Sequence, residues 1–143
     1  MTNDAAIEHF SRKLRFETDP SDVHAALERG DDFAFVDSLG DAAWAQGRAA
    51  GAIHLPTAMI ATTTSARIPI ETPVVVYCWG PGCNGSTKAA LEFARLGYAV
   101  REMTGGFEYW AREGLEVVDD TGHLHRETDA LTAPISSGVS CDC

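Results

Sequence analysis

No run of about 18 consecutive apolar residues occurs anywhere in the chain, so the sequence offers no candidate membrane-spanning helix. The opening MTNDAAIEHFSRK has no long apolar segment behind a basic start, which leaves no visible export signal and makes a cytoplasmic location the expectation. Basic residues are scarce too. Eleven Lys and Arg stand against 21 Asp and Glu, and the resulting net charge of -10 repels nucleic acid and anionic membrane surfaces alike. Cysteine is limited to four positions, which without an export signal are expected to stay reduced rather than build a disulfide framework. No internal repeat is visible, and 143 residues with 45% hydrophobic content fit one globular domain with an ordinary core.

What is present is concentrated in residues 74–97, VVVYCWGPGCNGSTKAALEFARLG. Val74, Val75, Val76 and Tyr77 form an unbroken apolar, β-branched and aromatic run, which predicts a strand buried on both faces in a parallel sheet. The run stops at Cys78. Trp79, Gly80, Pro81, Gly82, Cys83, Asn84 and Gly85 follow, and their three glycines and one proline let the backbone fold tightly with N–H groups turned inward. A helix is expected next, capped by Ser86 or Thr87, with Lys88, Glu92 and Arg95 on a polar face and Gly97 at its end. A cysteine at the carboxyl end of a central strand, facing backbone N–H groups and a helix N-terminus, is expected to have its pKa lowered from about 8.5 to roughly 3.5–7.5. Its thiolate is a nucleophile, and the crevice beyond the carboxyl ends of parallel strands is where open α/β sheets bind ligands.

Three related loop chemistries fit these residues less well. A phosphate-binding P-loop needs Gly-Lys-Ser/Thr after a Gly and four residues; here Gly80 and four residues lead to Gly85-Ser86-Thr87-Lys88, with the lysine displaced into the helix. A cysteine phosphatase needs an arginine to grip phosphate bidentately, and none occurs from Cys78 to Thr87. A thioredoxin-type pair has two residues between its cysteines, whereas Cys78 and Cys83 have four. What remains is a thiolate cradle for a small, weakly charged sulfur species.

Elsewhere, Ile7, Phe10 and Leu14 fall at helical spacing and predict a short amphipathic helix lying on the domain. Asp19-Pro20 starts a helix that Gly30 closes, and residues 33–37 read as a buried strand ending in Asp37. Asp41 is placed to cap a short helix containing Trp44, taken as core. Arg48 either presents a cation near the site entrance or is a solvated loop arginine. His54, in a short strand, is either an acid or base or a hydrogen-bonded structural residue. Residues 57–70 predict a helix and then a loop, 99–103 a strand, and 107–113 a short helix anchored by Trp110 after the Gly105-Gly106 turn. From Asp119 onward, Ser, Thr, Asp and Gly predict a flexible tail. His123, His125, Cys141 and Cys143 could together ligate zinc, but their spacing is unlike the usual ligand pairs, and no metal site is expected.

Four pieces carry a family resemblance: Phe35-Val36-Asp37, the stretch GRAAGAIHLP from Gly47 to Pro56, Val76-Tyr77-Cys78 with its glycine-rich loop, and Gly105-Gly106-Phe107-Glu108-Tyr109-Trp110. In this order and spacing they resemble a single-domain rhodanese, a sulfurtransferase family. The loop after Cys78 is about two residues longer than is common there and lacks the arginine often found near its end, and Arg48 stands where a histidine is usual. The resemblance implies an α/β fold with a central, mainly parallel five-stranded sheet flanked by helices, spanning 16–118 after a helical extension (1–15) and before a tail (119–143). It implies that Cys78 takes sulfane sulfur from a small-molecule donor such as thiosulfate. The persulfide then passes to a thiol or cyanide, with residues 79–87 holding the anion and no cofactor needed. Gly105 and Gly106 are expected in the pocket wall. Cys83 is a spectator or a resolving thiol. Oxyanion reduction or phosphatase-like chemistry and a non-catalytic binding module are the alternatives; oligomeric state is not legible.

Overall fold

The computed structural model describes residues 1–124 and 127–132. In chain order its elements are α1 (Asp4–Phe16), β1 (Glu17–Thr18), α2 (Pro20–Arg29), β2 (Ala34–Asp37), α3 (Asp41–Gln46), β3 (Arg48–Ala49) and β4 (Ile53–His54). There follow α4 (Thr57–Arg67), β5 (Val74–Tyr77), α5 (Gly85–Arg95), β6 (Val100–Met103), α6 (Gly106–Arg112), β7 (Val117–Asp119) and β8 (Gly122–Leu124). The main sheet has five strands in the order β1-β6-β5-β2-β4, every neighbouring pair parallel. Parallel neighbours require crossovers, and the helices that make them cover both faces.

Local sequence explains the frame. The Asp19 side chain accepts the Asp22 N–H at 2.9 Å, Pro20 occupies the first turn of α2, and Gly30 closes the helix at φ 73. Alternation along β5 divides the core. Val75 and Tyr77 face Val23 of α2 and Trp110 of α6, whereas Val74 and Val76 face Ile60 of α4 with Ala89 and Phe93 of α5. All four β5 side chains are buried, which places the next residue, Cys78, at the carboxyl edge of the sheet's middle strand. Trp110 is core as expected and donates its ring N–H to the Glu116 carbonyl.

Four expectations need correction. α1 forms, but it buries none of its residues, and Ile7, Phe10 and Leu14 are exposed: the helix joins the sheet edge through its end and does not lay its apolar stripe on the domain. Neither Ser86 nor Thr87 caps α5, because the helix begins at Gly85 and both hydroxyls donate instead to Glu102. Order also continues past Val118. β7 and β8 form a hairpin that pairs antiparallel with β3, and Arg112 holds Asp129 through a 2.9 Å ion pair. Trp44, taken as core, is half-buried. His125, Cys141 and Cys143 lie outside the described residues, so the zinc and tail-thiol readings fall there; among the described residues no cluster of metal-ligating groups occurs.

Where α6 ends, burial and then repulsion from Asp19 push the Glu113 carboxyl from 4.5 up to about 7, and its Oε2 is buried without a hydrogen-bond partner. Because the folded value is the higher one, the folded state keeps a proton that the unfolded chain surrenders, and stability falls as pH rises from about 4.5 to about 7. Glu113→Gln should therefore gain about 1–2 kcal/mol at about pH 8, after discounting for solvent screening, and almost nothing at about pH 4. Melting temperature against pH checks this; an equal change at both ends would show that the carboxyl does not titrate in that window.

Candidate active site

Residues 78–85 leave β5 and turn back onto the start of α5. Pro81 and Gly82 occupy the middle of a turn closed by the Cys83 N–H donating to the Gly80 carbonyl at 3.0 Å. The loop's first carbonyls are taken by the opening N–H groups of α6: Phe107 donates to Cys78 at 2.9 Å and Glu108 to Trp79 at 2.8 Å. Two needs are met at once, since helix N-termini leave N–H groups without intrahelical partners and a buried loop leaves carbonyls without partners. Gly106 makes this contact possible, for a Cβ there would lie 2.5 Å from the Cys78 carbonyl oxygen.

A cavity of about 350 Å³ lies inside the loop. Gly80, Pro81, Gly82, Cys83, Asn84, Ser86 and Thr87 line it together with Cys78, while Glu102, Met103, Thr104, Gly105 and Gly106 form the opposite wall, so the expected glycine turn does contribute. Trp79 does not line it; its ring is 41% exposed and packs on Phe107 with centroids 5.6 Å apart. Gly85 sits between the sulfurs, since a Cβ there would be 3.2 Å from Cys83 Sγ and 3.8 Å from Cys78 Sγ. A larger cavity of about 720 Å³ opens at the other end of β5 and β6, near Phe16, Arg29, Tyr98 and Arg101, but no cysteine or histidine lines it.

The ionisation of the two thiols reverses the sequence expectation. Burial pushes the Cys78 thiol above its ordinary value, with its hydrogen bond to Cys83 adding to the rise and the N–H and hydroxyl of Ser86 opposing it. Cys78 is only 2% exposed, and its Sγ also donates to the Cys83 carbonyl at 3.2 Å. Burial resists ionisation of Cys83 too, yet the hydrogen bond from Cys78, the N–H groups of Gly85 and Trp79 and the charge of Lys88 together hold it below its ordinary value. The Gly85 N–H reaches Cys83 Sγ at 3.4 Å. The cradle of N–H groups is therefore present, but most of it serves the second sulfur.

Sequence reasoning missed Glu102. Its Oε2 accepts from Ser86 Oγ at 3.0 Å and Thr87 Oγ1 at 2.8 Å, setting a carboxylate against the helix start, and among the described residues no lysine or arginine lines the cavity. Its position at the carboxyl end of a strand that pairs with β5, Val76 opposite Glu102, was the available signal.

Asp37, Arg48 and His54 do not reach the cavity. Asp37 is buried, accepting from the Leu39 N–H at 2.8 Å and the Tyr77 hydroxyl at 2.8 Å, while that hydroxyl accepts the Ala49 N–H at 3.0 Å. Burial raises the pKa of the Asp37 carboxyl, and these hydrogen bonds oppose the rise. Arg48 lies over Trp44 at 4.4 Å and pairs with Asp120 at 2.9 Å. His54 stacks on the same indole at 4.7 Å and meets the Leu39 carbonyl through Nε2 at 2.6 Å. The three residues tie β2, β3 and β4 together behind the site.

A parallel α/β domain with a cysteine at the carboxyl end of its middle strand, set inside a backbone loop, defines a small thiol-centred domain. The Rhodanese-like domain family matches residues 19–113, and the chain belongs to that family. A curated protein from Allochromatium vinosum named "Sulfurtransferase" is 34% identical over 107 residues, 74% of this chain and 97% of that protein, which supports a sulfurtransferase-type function. A crystal structure of a Bacillus halodurans protein is 38% identical with a TM-score of 0.78, covering 83% of this chain and 88% of that one. At 21% identity and a TM-score of 0.66, the rhodanese-like domain of an Anabaena protein, covering 72% and 78%, shows the same fold. Among the described residues no helix is long and apolar enough to cross a membrane.

Proposed function

We propose that this protein moves sulfane sulfur from a small donor, thiosulfate or a related species, to a thiol or cyanide acceptor, with Cys78 as the carrier. The observation that carries the reading is Cys78 at the carboxyl end of the sheet's middle strand, lining the 350 Å³ cavity together with Ser86. The Cys78 thiol gives its proton to the neighbouring Cys83 thiolate as its sulfur attacks the outer sulfur of the donor. The donor's S–S bond breaks, sulfite leaves with the bonding pair in the case of thiosulfate, and Cys78 retains the sulfur as a persulfide. A thiophilic acceptor then takes the outer sulfur and restores the thiol. No cofactor enters this cycle. A carboxylate in the cavity and, among the described residues, no lining lysine or arginine weigh against arsenate-type reduction or phosphatase-like chemistry, whose oxyanions need positive charge.

Incubation of the reduced Cys83→Ser protein with thiosulfate, followed by intact mass, tests the reading: one sulfur atom should be gained and then lost to dithiothreitol. An unchanged mass after both thiosulfate and an organic hydropersulfide would overturn it.

Glu102 governs donor choice within this reading. Its carboxylate repels a dianion in a small cavity, at a cost of about 1 kcal/mol or somewhat more. Glu102→Gln keeps an acceptor for Ser86 and Thr87 and removes the charge, so kcat/KM for thiosulfate should rise about tenfold, with little change for an uncharged organic trisulfide. Equal effects on both donors would show that charge is not the cause.

A further inference from the structure

The two loop cysteines differ in burial, charge and access, yet they share one small space. Gly85 is their common neighbour, since a Cβ there would stand 3.2 Å from Cys83 Sγ and 3.8 Å from Cys78 Sγ. Cys78 Sγ donates to the Cys83 carbonyl oxygen at 3.2 Å, and each thiol shifts the ionisation of the other. Cys78 is almost sealed, at 2% exposure, whereas Cys83 is half-buried on the wall of the cavity. A second thiol on the same short loop has an effective concentration far above that of a dissolved acceptor.

We propose that Cys83 is a resolving thiol, so that the protein also reduces sulfane sulfur to sulfide and takes a dithiol as its final electron donor. This proposal rests on the sulfur-carrier reading above. In the step, Cys83 returns to the outer sulfur of the persulfide the proton it took from Cys78, and the resulting Cys83 thiolate attacks the inner sulfur, forming a bond between the two Sγ atoms. The bond from Cys78 Sγ to the outer sulfur breaks, and that sulfur leaves as hydrosulfide with the persulfide proton. It has gained two electrons, and the two cysteine sulfurs have given up two in becoming a disulfide. A dithiol then reduces the disulfide by exchange, leaving itself oxidised and both cysteines as thiols. Over a cycle, thiosulfate and a dithiol yield sulfite, sulfide and the oxidised dithiol.

Three features fit this step. The hydrogen bonds from the N–H groups of Gly85 and Trp79 favour the thiolate at the attacking position. Hydrosulfide is a better leaving group than an alkyl thiolate, which directs cleavage outward. The cavity gives the outer sulfur somewhere to point other than toward Cys83.

The experiment uses the full chain, reduced and freed of reductant, as wild type and as Cys83→Ser, each given one equivalent of thiosulfate with sulfide trapped as it forms. Tryptic mapping follows, because one peptide, 68–88, contains both loop cysteines and none from the tail. Cys83→Ser should retain an added sulfur on that peptide, while wild type should lose two hydrogens from it and release about one equivalent of sulfide, at a rate at least about tenfold above the variant. Retention of the added sulfur in wild type, or a cross-link from this peptide to the tail, would overturn the resolving role while leaving the carrier role standing. If thiosulfate loads neither protein, the thiosulfate reading fails on its own. Loading with an organic hydropersulfide (RSSH), whose outer sulfur passes to Cys78 as RSH leaves, then decides the inference: an internal disulfide with sulfide release supports it, and a lasting persulfide overturns it.

Discussion

Cys78→Ser is expected to abolish persulfide formation and to lower thiosulfate-to-cyanide transfer by at least about a thousandfold, with the fold retained. Serine is close in size to cysteine, and the position is 2% exposed, with Ser86 and the Cys83 carbonyl able to satisfy a hydroxyl as they satisfy the thiol. The hydroxyl does not ionise near neutral pH and is a poor acceptor of sulfur, so the first bond-forming step is lost. Cys83→Ser should keep that step, because Cys78 still lies under Ser86, although removing the neighbouring base should slow uptake about tenfold at neutral pH. Comparing the two variants by intact mass and by thiocyanate formation, with circular dichroism to verify folding, separates carrier from partner. Uptake that survives in Cys78→Ser and vanishes in Cys83→Ser would move the carrier to the more ionised sulfur.

That comparison is needed because acidity and position point to different cysteines, and here the sequence is least informative. Where a strand ends and a glycine-rich loop begins can be read from Val74-Val75-Val76-Tyr77-Cys78, since periodicity and backbone freedom are local properties. Which sulfur the loop N–H groups serve depends on the path of the turn at Pro81-Gly82, and that path sends Gly85 to Cys83. The same limit hid Glu102, which enters the site from a strand 24 positions beyond Cys78 through sheet register alone. Arg48 and His54 show the converse. Both belong to a motif that implies the family, yet their side chains gather on Trp44 and brace the fold. For α1, Ile7, Phe10 and Leu14 share one helix face as their spacing predicts, but spacing says nothing of what covers that face.

Among the described glycines, Gly106→Ala should be the most destabilising substitution, costing about 3 kcal/mol or more and roughly 10 °C in Tm. Two causes act together. The residue has φ +60, a conformation that L side chains rarely adopt, and its Cβ would meet the Cys78 carbonyl oxygen at 2.5 Å, the Gly80 nitrogen at 2.8 Å and the Trp79 carbonyl carbon at 3.0 Å. All three atoms are backbone, so no side chain can rotate away to relieve the overlap. The loop or α6 must shift, which weakens the bonds from Phe107 to Cys78 and from Glu108 to Trp79 that hold the cradle in place. Gly30→Ala isolates the backbone term, since Gly30 has φ +73 with nothing within 4 Å of the added carbon, and it should cost only about 1 kcal/mol with sulfur uptake unaffected. Denaturant unfolding of both variants, paired with persulfide yield, measures the difference. A Gly106→Ala protein no less stable than Gly30→Ala and equally able to take up sulfur would show that the close approach between α6 and the Cys78 loop is not what holds the site.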